Sequence, residues 1–300
     1  MIKKENYHKS VLVAEVLQYL DPQPGKVYID ATFGGGGHSA AILAKEPNCK
    51  VIGLDWDAVA LEQGAELQAE YGERLELLWG NFASLYMLLK KHKIAKVDGI
   101  LADFGTSQHQ IFNKDGFSFA ADTPLDMRMS TAHYKTTAAE VLNKASEATL
   151  ASILFEFGEE TAARKIAKAI LEARKKKKFK TTNQLTELII KIKGPQRGKA
   201  HPATKVFQAL RIHVNHELEN IESFLQATAK VLNNTGRVVC ISFHSLEDRT
   251  VKQFFKEYSN GLNKGRFEIL TPRIVVASEA ELKENPSARS ACLRAASYVE

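Results

Sequence analysis

Short apolar runs alternate with helically spaced stretches along the first hundred residues, the pattern of a parallel sheet built from βαβ units. Lys26–Asp30 reads as a first strand, and the glycines from Gly34 to Gly37 part it from a helix carrying Ala41, Ile42 and Leu43. Val51–Asp55, Leu75–Trp79 and Val97–Asp103 read as the next three strands, with helices around Val59–Leu67 and Leu85–Lys91 between them. A fifth strand, Arg237–Phe243, comes only after a connection running from residue 104 to 235. A crossover needs only about a dozen residues, so most of this connection must form structure of its own.

Its helical stripes predict what that is. Leu150, Ile153, Leu154 and Phe157 keep helical spacing, as do Ala163, Ile166, Ala167 and Ile170, and Leu185, Leu188, Ile189 and Ile192. Val206, Leu210, Val214, Leu218 and Ile221 predict one long helix from about Ala203 to Val231, returning the chain to the sheet. Arg289–Val299 supplies a last strand. The expected organisation is an α/β sheet domain from residues 1–105 and 206–300, with an inserted helical, basic domain at 106–205.

Charge sharpens this division. The chain of 300 residues carries a net charge of +6, yet residues 104–205 hold 14 Lys and 4 Arg against 3 Asp and 7 Glu. The insertion therefore carries the whole positive excess, as a surface for an anionic partner such as RNA would. Arg174–Lys178 is its densest run, read equally as a solvated helix end. The N-terminus lacks the apolar stretch of a signal peptide, and no uncharged run approaches a membrane span of ~18 residues, so a cytoplasmic protein without a membrane partner is expected. Cys49, Cys240 and Cys292 show no ligand spacing, and no metal is expected.

The first chemical signal is Tyr28-Ile-Asp-Ala-Thr-Phe-Gly-Gly-Gly-Gly-His38. Glycines at a strand's carboxyl end let the backbone turn sharply beside a bound cofactor. The same turn serves nicotinamide and flavin dinucleotides. Asp55 ends the second strand, where a carboxylate accepts from both hydroxyls of an adenosine ribose, and Asp103 ends the fourth. A dinucleotide would require a second nucleotide-binding half, and none is evident; S-adenosylmethionine requires one.

Further blocks give the chain its resemblance: Tyr7-His8, Asp98-Gly-Ile-Leu-Ala-Asp-Phe-Gly105, Gly116-Phe-Ser-Phe119 and Pro124-Leu-Asp-Met-Arg-Met129. They continue with Phe157-Gly-Glu-Glu160, His201-Pro-Ala-Thr204 through Arg211, Ile241-Ser-Phe-His-Ser-Leu-Glu-Asp-Arg249 and Asn285-Pro-Ser-Ala-Arg-Ser290. Almost end to end, the sequence resembles the bacterial ribosomal RNA small subunit methyltransferase H family, the MraW-like enzymes. The resemblance implies a Rossmann-like class I methyltransferase sheet with an inserted cap, S-adenosyl-L-methionine as cofactor, and methylation of the N4 amine of a decoding-centre cytidine in 16S rRNA within the small ribosomal subunit. It implies Gly36, Gly37, His38, Asp55, Phe82, Asp103 and Gln110 as cofactor contacts. Two departures stand out: Thr106-Ser-Gln-His-Gln110 replaces Val-Ser-Ser-x-Gln, and Asp115 replaces a common Arg.

Cytosine's amino lone pair is delocalised, so an acceptor for its proton and a fixed line of approach lower the barrier. Asp103, or a nearby backbone carbonyl, is the candidate catalytic acceptor, a purely cofactor-binding role being the alternative for Asp103, and Phe104 is read equally as a base-stacking ring or as core. Candidate substrate contacts are Arg128, His201, Arg211, His244, Ser245 and Arg249. Arg128 also reads as a partner of Asp126, and Ser245 as a helix N-cap with Asp248 completing a capping box. The order of blocks leaves open another RNA base as target, an idle assembly factor, and the oligomeric state, a homodimer included.

Overall fold

A computed structural model of the chain describes residues 9–105, 114–119, 121–196, 201–259 and 266–300. Strands β1 (Val27–Asp30), β2 (Lys50–Asp55), β3 (Leu75–Trp79), β4 (Val97–Asp103) and β5 (Leu232–Ser242) run parallel. Strands β6 (Arg266–Ile269) and β7 (Val275–Val276) each pair antiparallel with β8 (Cys292–Val299), which itself lies antiparallel to β5. The sheet order is β3-β2-β1-β4-β5-β8-β6. Chain order reverses between β1 and β4, so their carboxyl ends open the crevice where open α/β sheets bind ligands.

The strands read as unbroken apolar runs because both faces of the sheet are covered. Ile100 and Ala102 of β4, and Val238 and Cys240 of β5, join one core cluster with Phe224 and Val251. Leu101, Val239 and Ile241 point into the other, with Val16, Ile42 and Leu43. Around the sheet lie helices α1 (Val13–Leu20), α2 (Gly37–Lys45), α3 (Ala58–Tyr71) and α4 (Leu85–Lys91).

The chain divides into two compact units, Met1–Gly105 with Leu218–Glu300, and Thr106–Glu217. The second contains α5 (Ala138–Lys144), α6 (Glu147–Glu156), α7 (Ala163–Lys176), α8 (Thr182–Lys193) and α9 (Thr204–Asn215), packed on a core of their own that includes Leu142, Leu150, Ile166 and Leu185. Residues 206–217, expected with the sheet, belong to this unit, because Val206, Phe207, Leu210 and Val214 are buried in its core.

The long helix expected over Ala203–Val231 is two helices. Helix α9 ends at Asn215, His216 takes left-handed backbone at φ 49°, and α10 (Glu217–Val231) begins anew. Apolar spacing runs through the break because Val214 and Ile221 are both buried, in different cores. Asn215 supplies the local reason. Its fully buried amide donates to Met127 O at 2.7 Å and accepts from Met129 N–H at 2.7 Å. Two further α-helices are α11 (Ser245–Ser259), which follows β5, and α12 (Glu279–Glu284), which precedes β8.

Candidate active site

Three aspartates end three parallel strands: Asp30 on β1, Asp55 on β2 and Asp103 on β4. Register pairs Asp30 with Gly53 and Leu101, so Asp55 and Asp103 each lie two residues beyond it on the flanking strands, and Asp103 pairs with Ile241. Asp55 is held by backbone donors: Gly34 N–H reaches Oδ2 and Asp57 N–H reaches Oδ1, both at 2.8 Å. Each oxygen keeps further lone pairs for a ligand hydroxyl. Burial outweighs these bonds and pushes the carboxyl up to about 6.

Asp30 is buried, accepts from Ser39 Oγ at 2.8 Å and from Thr32 N–H at 3.3 Å, and is raised above the usual carboxylate range by that burial. Thr32 turns its hydroxyl oxygen to Asp103, accepting its backbone N–H at 2.7 Å. The carboxylate of Asp103 has less support. Its Oδ1 is buried without a hydrogen-bond partner among the described residues, and Oδ2 lies 3.9 Å from His38 Nδ1. Burial raises this carboxyl to about 7, with Asp30 and Glu247 adding to the rise and His38 opposing it.

The glycine turn has a packing role that spacing alone did not reveal. The Phe33 ring is buried in a socket walled by glycines from three elements: a Cβ on Gly36 or Gly64 would approach it to 2.7 or 2.5 Å, and one on Gly53 would overlap it outright. A Cβ on Gly37 would collide with Ser10 Oγ. Gly36 also sits at φ 74° and heads α2 without a side-chain cap, while the backbone N–H of Ser39 in the helix's first turn bonds the Asp30 carboxylate.

Phe82, in the 3-10 turn Phe82–Ser84, is half-buried beside Trp56, with Phe104 at 5.8 Å and Phe224 at 5.7 Å between ring centroids. Phe104 is almost fully buried against Phe224 and belongs to the core, which decides between its two readings. Past β5, the buried Glu247 accepts the N–H groups of Phe243 at 2.7 Å and His244 at 3.3 Å. The carboxylate that reaches back over the start of α11 is thus Glu247, whereas Asp248 forms a two-point pair with Arg294 at 2.6 and 3.0 Å. His244 is largely buried, with Nε2 3.3 Å from Glu247 Oε1, while Ser245 and Arg249 are exposed on α11.

Within the helical unit, the expected cationic contacts are engaged internally. Arg128 forms a fork with Asp126, both bonds 2.7 Å, and Arg211 one with Glu217, both 2.9 Å. His201 stacks on Phe119 at 4.5 Å and accepts Ala203 N–H, fixing the approach to α9. Arg174 caps the carbonyls of Leu142 and Ala145, while Lys175 to Lys178 are exposed, Lys175 paired with Glu172 at 2.8 Å. Tyr7, His8, Gln110 and the departure at Thr106–Gln108 lie outside the described residues. Asp115 contributes a backbone carbonyl to Met127 N–H.

A model of the MraW methylase family matches residues 5–299 of this sequence. The chain belongs to that family. It is 45% identical over 289 residues to ribosomal RNA small subunit methyltransferase H of a Sulfurihydrogenibium strain, covering 96% of this chain and 97% of the relative. The protein of the same name from Syntrophotalea carbinolica is 46% identical over 311 aligned residues, with 98% and 99% covered. That from Thermotoga neapolitana is 44% identical over 306, with 100% and 99% covered. With the family in place, the strand-end aspartates and Phe82 form an acceptor and aromatic set that fits S-adenosylmethionine. Asp55 offers lone pairs for hydroxyl groups, Phe82 an aromatic face, and Asp103 an unmet acceptor.

Proposed function

We propose that this protein methylates the exocyclic N4 amine of a cytosine in small-subunit ribosomal RNA, using S-adenosylmethionine, and that the target is a decoding-centre cytidine of 16S rRNA. The names of its relatives support the RNA class. The observation that carries the chemistry is Asp103 Oδ1, a buried acceptor without a partner among the described residues at the carboxyl end of β4. When bound, S-adenosylmethionine would supply an electrophilic methyl group with its sulfide as leaving group, and the substrate amine that takes up this methyl must shed one proton. Asp103 is the group of this chain that accepts that proton. Its backbone is fixed by Thr32 and by β4–β5 pairing, so its line to a substrate does not depend on a loop.

A base paired in a helix cannot present its amine to a buried carboxylate, so the cytosine enters unpaired or flipped. The basic helical unit binds the surrounding phosphates through exposed lysines, since Arg128, Arg174 and Arg211 are engaged internally. Ribosomal RNA as substrate assigns the protein to the cytoplasm; separately, no helix among the described residues is long and apolar enough to cross a membrane.

The test is turnover. The protein is incubated with labelled S-adenosylmethionine and small subunits from cells lacking this gene, and the digested RNA is resolved by mass spectrometry. N4-methylcytidine formed only with the protein is the expected product. A different methylated nucleoside overturns the base assignment, and the absence of transfer to subunits or naked RNA overturns the enzyme reading.

A further inference from the structure

His38 stands among the cofactor contacts implied by the sequence, yet the geometry of its ring points to another task. The side chain is buried, 5% exposed, on the first turn of α2. Nε2 lies 2.8 Å from the carbonyl oxygen of Val11. A carbonyl only accepts, so Nε2 carries a proton and Nδ1 holds a lone pair whenever the ring is neutral. That lone pair faces Asp103 Oδ2 at 3.9 Å. Two lone pairs facing one another in a buried setting repel, and a proton carried by one of the two groups removes the conflict.

The other groups facing this pair are anionic or committed. Asp30 at the end of β1 is bonded to Ser39 and Thr32, and Glu247 on α11 is bonded to the N–H groups of Phe243 and His244. Both, like burial itself, make Asp103 harder to ionise, and of the three side chains acting on it His38 alone works the other way. An acceptor that is already protonated cannot take a proton from an amine.

We propose that His38 is a positioning residue for methyl transfer, holding on Nδ1 the proton of the His38–Asp103 couple so that the Asp103 carboxylate stands ready to receive the amine proton. In that step the amine N–H bond breaks, an O–H bond forms at Oδ1, and the proton passes to solvent as the product leaves, restoring the carboxylate. The Val11 carbonyl fixes the tautomer and aims Nδ1, which ties the segment before α1 to the chemistry. The proposal rests on Asp103 as the acceptor of the amine proton.

Two measurements test it. In nitrogen-15 spectra of the ligand-free protein at pH 7, His38 is expected to show protons on both ring nitrogens in the wild type and on Nε2 alone in Asp103→Asn. In the second, His38→Gln retains an amide donor for Val11 but cannot take up a proton. The acidic limb of its kcat profile is expected to move to higher pH by about one unit, with little change in KM for S-adenosylmethionine. A merely structural role would lower kcat at every pH and leave the limb in place. A wild-type His38 with a bare Nδ1, or a limb that does not move, overturns the proposal. Should His38→Gln not fold, the spectra of the wild type and Asp103→Asn decide alone. N4-methylcytidine formed with an unmoved limb separates this failure from that of the cytosine assignment, which gives another nucleoside.

Discussion

Asp103 combines poor solvation with an unmet hydrogen-bonding capacity, and both have consequences that can be measured. Asparagine at this position keeps the shape and removes the proton acceptor. Asp103→Asn is expected to lower kcat by roughly 100-fold or more, the usual scale for losing a general base, with the circular dichroism spectrum unchanged. The same substitution should change stability in the opposite sense. The folded value of Asp103, about 7, lies above the ordinary 3.8, so the folded state binds this proton more tightly than the unfolded chain. The resulting stability is complete below pH 3.8 and is lost as pH rises through about 7. Asp103→Asn is therefore expected to melt higher than the wild type at pH 8, by about 2 °C or more, and to lose that advantage as pH approaches 4. A melting difference that does not depend on pH would show that Asp103 is not strained by ionisation.

At the scale of elements, two devices hold the strand ends in place. The Phe33 ring locks the β1–α2 turn onto β2 and α3 by filling the space left by Gly36, Gly53 and Gly64. Gly53→Ala puts a methyl into that ring and is expected to cost about 1–3 kcal/mol, the range of overpacking in a filled core, as read by urea unfolding. Phe33→Leu in the same chain should recover part of the loss, because the two sites share one space. The second device is Asn215, which bridges Met127 and Met129 beside the break between α9 and α10. Asn215→Ala leaves a buried N–H and a buried C=O unmet, at about 1–3 kcal/mol each. Faster hydrogen exchange is expected at Met129, while exchange along β4 and β5 stays slow.

For the whole molecule, the net charge of +6 conceals an uneven distribution, and much of the apparent binding surface in the helical unit serves the unit itself. The pairing of Arg128 with Asp126 was open to the sequence, two residues apart, but the engagement of Arg174 and Arg211 was not, because a pairing partner six residues away, or a carbonyl from another helix, leaves no periodic trace. The exposed lysines remain. Replacing Lys176, Lys177 and Lys178 together by alanine is expected to weaken RNA binding and to lower the slope of log affinity against log salt by up to about 2–3. An unchanged slope in a filter-binding titration would move the RNA surface elsewhere.

Strand positions, helix faces and the presence of an insertion were legible in the sequence, since apolar periodicity is local and the length of a connection can be counted. Leu75–Trp79 and Val97–Asp103 run as strands just as their apolar runs indicate. The placing of Asp55 and Asp103 on one edge was legible too, because each closes a parallel strand; the part of Asp30, which ends two residues short of both in register, was not. Only the tertiary structure decided that His38 faces Asp103 and Val11, that Phe33 occupies the glycine turn, and that the expected long helix breaks at His216. Those outcomes depend on which atoms far apart in the chain share a buried volume, and hydrogen bonding, packing and ionisation are all settled there, by contacts that no local pattern encodes.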